Sequence, residues 1–173
     1  MISTPLLIIG SGPVAVVTAE LASAVGIASL LVGEPSGAAA DAAVGAADER
    51  PVALTPETET ILARTGLLGV LGPHVPAGPP SSGGEGGRLW IAPAALFRAL
   101  RRHCVADLMV TVYDGMTVTD PTPRAGGGFE ATIGDGTSSW TAHAASVVDA
   151  RALPEDLNAG VGAAWEAVTG GRA

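Results

Sequence analysis

Residues Leu6 to Glu34 read LLIIGSGPVAVVTAELASAVGIASLLVGE, and the fold class turns on this stretch. A short apolar run leads into Gly10-Ser11-Gly12-Pro13-Val14-Ala15. A small-residue segment follows to Gly26, then a second apolar run from Ile27 to Val32 that ends at Glu34. Strand, glycine turn, helix, strand and acid stand here in the order of a dinucleotide-binding βαβ unit. Gly10 permits a tight turn, Gly12 lets the backbone approach a pyrophosphate, and Ala15, the third small residue, lets the helix pack close to the strand. The pyrophosphate would sit against the N–H groups at the helix N-terminus, and Glu34 would accept from the adenosine ribose hydroxyls. Glycine spacing alone carries little weight; the flanking strands and the placed acid make it specific. The competing reading is a glycine-rich turn whose small residues serve packing and bind nothing.

At 173 residues the chain has the length of one domain. Hydrophobic residues make up 47%, but with two Phe, one Tyr and three Trp, small and aliphatic side chains must fill the core. All nine basic residues are Arg, which excludes a P-loop lysine and a Schiff-base lysine. A net charge of −8 leaves no basic stripe to neutralise phosphates, so no nucleic-acid partner is expected. Cys104 is the single cysteine, which excludes an internal disulfide and a thiolate metal cluster; no metal site is expected. The N-terminus has no basic segment, and the apolar runs are shorter than the ~20 residues that cross a bilayer. A soluble, cytoplasmic protein without a membrane partner is the expectation.

Further along, residues 35–48 (PSGAAADAAVGAAD) read as a low-complexity loop or frayed helix. Thr55 is placed as an N-cap, with Pro56 at the first helical position, Glu57 and Glu59 at the positive end of the dipole and Gly66 past the C-terminus. This predicts a helix over 56–65, with Leu67, Leu68 and Leu71 following it into the core. Residues 72–87 (GPHVPAGPPSSGGEGG) read as a loop of lid-like length that carries His74, a solvated histidine. Arg88–Ile91 reads as a short strand, and Pro93 opens a helix through His103 with Leu96, Phe97, Ala99 and Leu100 as its apolar stripe. Arg98, Arg101 and Arg102 form its solvated face, and His103 and Cys104 are read as structural. Leu108–Tyr113 is a strand. Met116–Thr119, Phe129–Ile133 and Ser139–His143 form an antiparallel meander with Asp135-Gly136 as a turn, decorated by Trp140 and His143. Ala145–Ala150 reads as a last strand of the parallel sheet. The domain covers residues 1–150, and residues 151–173 form a tail with a short helix around Ala163–Val168 that buries Trp165.

The order of these elements resembles the N-terminal half of the FAD-dependent aromatic hydroxylases and ubiquinone-biosynthesis hydroxylases, the p-hydroxybenzoate hydroxylase type. The resemblance rests on LLIIGSGPVAVVTAELA (6–22), DERPVALTPETETILARTGLLGVL (48–71), LWIAPAALFRALRRHC (89–104) and SSWTAHAASVVDA (138–150). It implies an α/β fold: a Rossmann-like parallel sheet of the FAD/NAD(P)-binding type, with helices and an inserted antiparallel meander. By the same resemblance Gly10, Ser11, Gly12, Pro13 and Glu34 would hold the ADP half of FAD, and Arg50 would lie toward the flavin. The chain departs from the family pattern in two places. Pro93 stands where the family's helix motif starts with arginine, and Asp149-Ala150-Arg151-Ala152-Leu153 replaces its A-D-G-x-x-S-x-x-R segment.

The resemblance also implies that the family's second half, which completes the flavin site, is missing from this chain. Flavin hydroxylation needs a walled, water-excluding pocket. The leading functional expectation is therefore a redox-neutral step, such as a cyclisation or isomerisation on a small apolar molecule in secondary metabolism. No catalytic residue is assigned; Asp149, Arg151, Arg50 and His74 are the nearest candidates. One alternative is half of a split FAD-dependent monooxygenase, completed by a partner protein. The other is a non-enzymatic binding module. The apolar face left bare by the missing half predicts self-association or a partner.

Overall fold

The computed structural model describes residues 1–33, 51–71 and 89–170. Glu34, Arg50, His74, Arg88 and the two low-complexity segments lie outside them. Strand β1 (Ile2–Ile9) and helix α1 (Pro13–Ala24) are followed by β2 (Ser29–Val32), giving the βαβ unit read from the sequence. Then come β3 (Val52–Ala53), α2 (Pro56–Arg64), α3 (Leu67–Leu71), β4 (Trp90–Ile91) and α4 (Pro93–Ala106). Strands β5 (Val110–Tyr113), β6 (Thr117–Val118), β7 (Thr122–Pro123), β8 (Phe129–Gly134) and β9 (Ser139–Asp149) precede a 3₁₀ turn at Ala150–Ala152 and the last helix, α5 (Leu157–Gly170).

The main sheet runs β5-β2-β1-β9-β8-β6, with β7 also on β8. Its first four strands are parallel, and β8, β6 and β7 are antiparallel to their neighbours. Strands β3 and β4 form a separate antiparallel pair. The meander strand expected at Ser139–His143 and the parallel strand expected at Ala145–Ala150 are one continuous strand. Residues Ser139–Ala144 of β9 pair antiparallel to β8 and Ala142–Asp149 pair parallel to β1, Ile9 facing Asp149, so the two pairings overlap at Ala142–Ala144. The β-rich sequence on both sides of Ala144 carries no turn residue, so the chain has nowhere to break.

The start of β2 is displaced from Ile27 to Ser29 for a local reason. Gly26 takes φ +77°, its N–H reaches Ser23 O at 2.8 Å, and Ile27 N–H reaches back to Ala22 O at 2.9 Å. This is a Schellman close, and it uses Ile27 for the helix end rather than the strand. Helix α2 begins as expected: the Thr55 hydroxyl accepts from Thr58 N–H at 3.2 Å, and Gly66 follows at φ +77°. Leu67 is buried and Leu68 partly so.

One face of the sheet buries Leu6, Ile8 and Leu31 against α1, α4 and α5. On the other, Leu7, Ile9, Leu30 and Val32 share a cluster with Ala131, Ile133, Ala142 and Ala144 of the meander. Trp140 meets Tyr113 there at 5.3 Å between ring centroids. Helix α1 is buried from Val14 to Ala22 without a break, because the sheet, α4 and α5 enclose it. That enclosure takes in Glu20, whose carboxyl is pushed above its ordinary value by burial against the opposing pull of His103.

Helix α5, at 14 residues, is more than twice the length expected from the sequence. Its two interior glycines argue against a helix, yet Gly160 is where α5 crosses α1. A Cβ there would stand 2.7 Å from Pro154 O and 2.8 Å from Val14 Cγ2. Asn158 ties α5 to the β3–α2 junction, accepting from Thr55 N–H at 2.9 Å and donating to Ala53 O at 3.1 Å. Trp165 is only half-buried, with the Arg64 guanidinium 5.7 Å over its ring. Gly160→Ala is expected to cost about 1–3 kcal/mol through overpacking. Gly162→Ala, whose added Cβ meets nothing within 4 Å, should hold or raise stability. Urea denaturation midpoints of the two variants check the contrast.

Candidate nucleotide-binding site

The carboxyl ends of the parallel strands converge beside the N-terminus of α1, as ligand sites in open α/β sheets do. Gly10 is held at φ +142°, a backbone region that side chains avoid. A Cβ at Gly10 would stand 3.3 Å from Ala15 Cβ and 3.4 Å from Ala150 Cβ. Gly10 is therefore required by the turn and by the packing of α1 on β1, and Ala15 is the small residue that makes the approach possible. Gly10 N–H donates to Val32 O at 2.9 Å and Gly33 N–H to Tyr113 O at 2.9 Å, which ties three strand ends together.

Gly12 differs in kind. It caps α1 with extended backbone (φ −77°, ψ 176°) that any residue can adopt, and a Cβ there would meet nothing within 4 Å among the described residues. Neither backbone strain nor packing against the described residues demands glycine at this position. Pro13 is at the first helical position, and no side chain caps the helix. An exposed, side-chain-free helix N-terminus beside open space suits an anionic group. Ser11 lies at the same turn, its Cβ 3.2 Å from where a Gly33 Cβ would stand.

Two ion pairs border the strand ends. Arg151 donates from Nε to Asp149 Oδ1 and from Nη2 to Asp149 Oδ2, each at 2.8 Å. This bidentate pair places the arginine side chain beside Gly10 and holds the Asp149 carboxyl below its ordinary value. Arg101 of α4 pairs with Asp114, which follows β5. Of the residues expected at the site, Gly10, Ser11, Gly12 and Pro13 come together with Asp149 and Arg151. Glu34, Arg50 and His74 fall outside the described residues. Asp114 was not singled out from the sequence, although its place directly after a parallel strand is the available signal.

Next to the turn, Pro13, Val14 and Val17 of α1 face Leu157 and Val161 of α5 across a cleft of about 140 Å³. Val52 and Pro93 close it, and Glu155 and Asp156 lie at its edge. Such a volume accommodates about one six-membered ring. The N-terminal ends of α1, α4 and α5 therefore meet at one apolar cleft with two carboxylates.

No protein-family model matches the sequence, and no curated protein matches it. Solved structures do. p-Nitrophenol 4-monooxygenase PnpA from Pseudomonas putida DLL-E4 superposes with a TM-score of 0.58 at 18% identity, over 85% of this chain and 40% of that one. The fold is that of part of a flavin-dependent monooxygenase. The flavin-dependent monooxygenase PieE, solved with FAD and substrate, gives a TM-score of 0.63 at 18% identity, over 84% of this chain and 30% of its own. The rebeccamycin biosynthetic enzyme REBC gives 0.63 at 15%, over 86% and 33%. The chain thus spans 30–40% of the length of these structures. Among the described residues no helix is long and apolar enough to cross a membrane.

Two outcomes follow from the geometry. Gly10→Ala should lose about 1–3 kcal/mol of stability through backbone strain, whereas Gly12→Ala should stay within about 1 kcal/mol of the parent; denaturant titration separates them. The Asp149–Arg151 pair sets a pH dependence. A depressed folded-state value means its stabilisation is present above the ordinary aspartate value of about 3.9 and is lost as pH falls through the lower folded value. Asp149→Asn should flatten that part of the acid limb in denaturation midpoints measured from pH 6 downward.

Proposed function

We propose that this chain is the nucleotide-binding part of a flavin-monooxygenase-type protein, holding the ADP half of FAD at its glycine turn. The observation that carries the reading is Gly12: among the described residues, open space beside an uncapped helix N-terminus, at a position where none of them calls for glycine. The pyrophosphate would lie against the first turn of α1, and Arg151, already turned toward Gly10 by Asp149, would supply a compensating positive charge. Glu34, two positions after β2 in the sequence, is the proposed ribose acceptor, and Arg50 the residue toward the flavin ring. Bound flavin would supply the redox chemistry; the chain's own share is to grip and orient the nucleotide end. Walls that exclude water from the ring would come from polypeptide outside the described residues.

A second reading has the 140 Å³ cleft in its favour. Its apolar lining and ring-sized volume suit a small apolar molecule undergoing a redox-neutral cyclisation or isomerisation, with shape rather than a cofactor doing most of the work. Calorimetric titration of the purified chain with FAD and with ADP distinguishes the two. Saturable binding of both, weakened at least about tenfold by Gly12→Ala with unchanged stability, supports the nucleotide reading. Colourless protein that binds neither ligand overturns it and leaves the cleft as the functional feature.

A further inference from the structure

A second cluster of functional side chains lies away from the glycine turn, where the C-terminal part of α1 meets the end of α4. Glu20, His103 and Asp107 each offer one ligand atom, and these atoms all lie within 4.8 Å of one another. Glu20 Oε2 is 2.7 Å from His103 Nδ1, across 83 residues of sequence. The Glu20 side chain is 1% exposed, and its other oxygen, Oε1, is buried with no hydrogen-bond partner. A buried carboxylate oxygen left unpaired is costly, and such an atom in a folded protein calls for an explanation. Asp107 is held from behind: its Oδ2 accepts from the Ser23 hydroxyl and its Oδ1 from Met109 N–H at 2.8 Å. His103 is 45% exposed, which opens the cluster to solvent on one side.

We propose that Glu20, His103 and Asp107 bind a divalent transition metal of the zinc class, pinning α1 to α4. Two carboxylates and one imidazole supply three ligands, and solvent on the His103 side supplies the fourth. With the metal bound, the two carboxylates would carry two negative charges in a partly buried place, which a divalent cation neutralises. The cation would also satisfy Glu20 Oε1. Zinc–ligand distances of about 2.0–2.2 Å require the Oε2–Nδ1 contact to open by a few tenths of an ångström, within reach of a half-exposed histidine ring. The imidazole binds through its Nδ1 lone pair, so its proton resides on Nε2 and faces solvent. Ser23 and Met109 N–H orient the Asp107 carboxylate as partners behind a metal ligand do. An imidazole in the set favours zinc over magnesium, which takes oxygen ligands and keeps its water.

The test uses the full chain, stripped with a chelator and titrated with Zn²⁺ in a calorimeter. One equivalent should bind and raise the thermal midpoint, Co²⁺ should give the visible band of a tetrahedral site, and Mg²⁺ should bind detectably more weakly. His103→Gln, at a half-exposed side chain and with its folding checked by circular dichroism, should weaken Zn²⁺ by at least about tenfold and abolish the thermal shift. Glu20→Gln should do the same where it folds. His143→Gln, which removes a histidine paired to Glu130 at 3.1 Å in the meander, should leave binding unchanged. Absence of saturable Zn²⁺ binding, or equal affinity in the parent and His103→Gln, overturns the proposal.

Discussion

The structure depends on one constraint, that α1 must be approached from every side at once. Nine consecutive residues of this helix, Val14 to Ala22, are buried, because β1 and β2 lie on one side and α4 and α5 on the others. A helix so enclosed cannot be amphipathic, and it must be built from small side chains so that its neighbours can come near. Ala15 against Gly10 and Val14 against Gly160 are two of these close approaches. The N-terminus of α1 is thereby fixed over the strand ends, and the glycine turn is fixed with it.

The same enclosure explains features that otherwise look unrelated. Glu20 sits in the apolar sequence VVTAELA, and α4 covers the face on which its carboxylate lies. Its partner His103 therefore comes from the end of α4, next to the buried Cys104, whose thiol burial pushes up to about 12. A cysteine in that state is an apolar core residue rather than a nucleophile. At the other end of α1, the absence of a capping side chain leaves the helix dipole available to a ligand.

The βαβ unit was legible in the sequence because its signals are local. Apolar runs, a glycine pair, a helix-opening proline and the Thr55-Pro56 cap each act within a few residues. The continuity of β9 was not legible, because splitting Ser139–Asp149 into two strands follows from its changing partners rather than from any break in the chain. Helix α5 was underread for the opposite reason. Gly160 and Gly162 weaken helix propensity locally, while packing on α1 rewards the first of them for having no side chain. Asn158, which bridges to Thr55 and Ala53 over a hundred residues away, gives no sign in the sequence of that role.

By itself the sequence determined the fold class, the order of its elements and the position of the glycine turn, since alternation, capping and turn chemistry are properties of short stretches. Only the tertiary structure decided which glycine serves the fold and which leaves room for a ligand. Gly10 and Gly12 look alike in the motif. Neighbouring side chains crowd the first and none among the described residues approaches the second, and that difference exists only once β1, α1 and the Ala150 turn have been brought together. The pairing of Glu20 with His103 has the same origin, because residues far apart in the chain meet only where two helices cross.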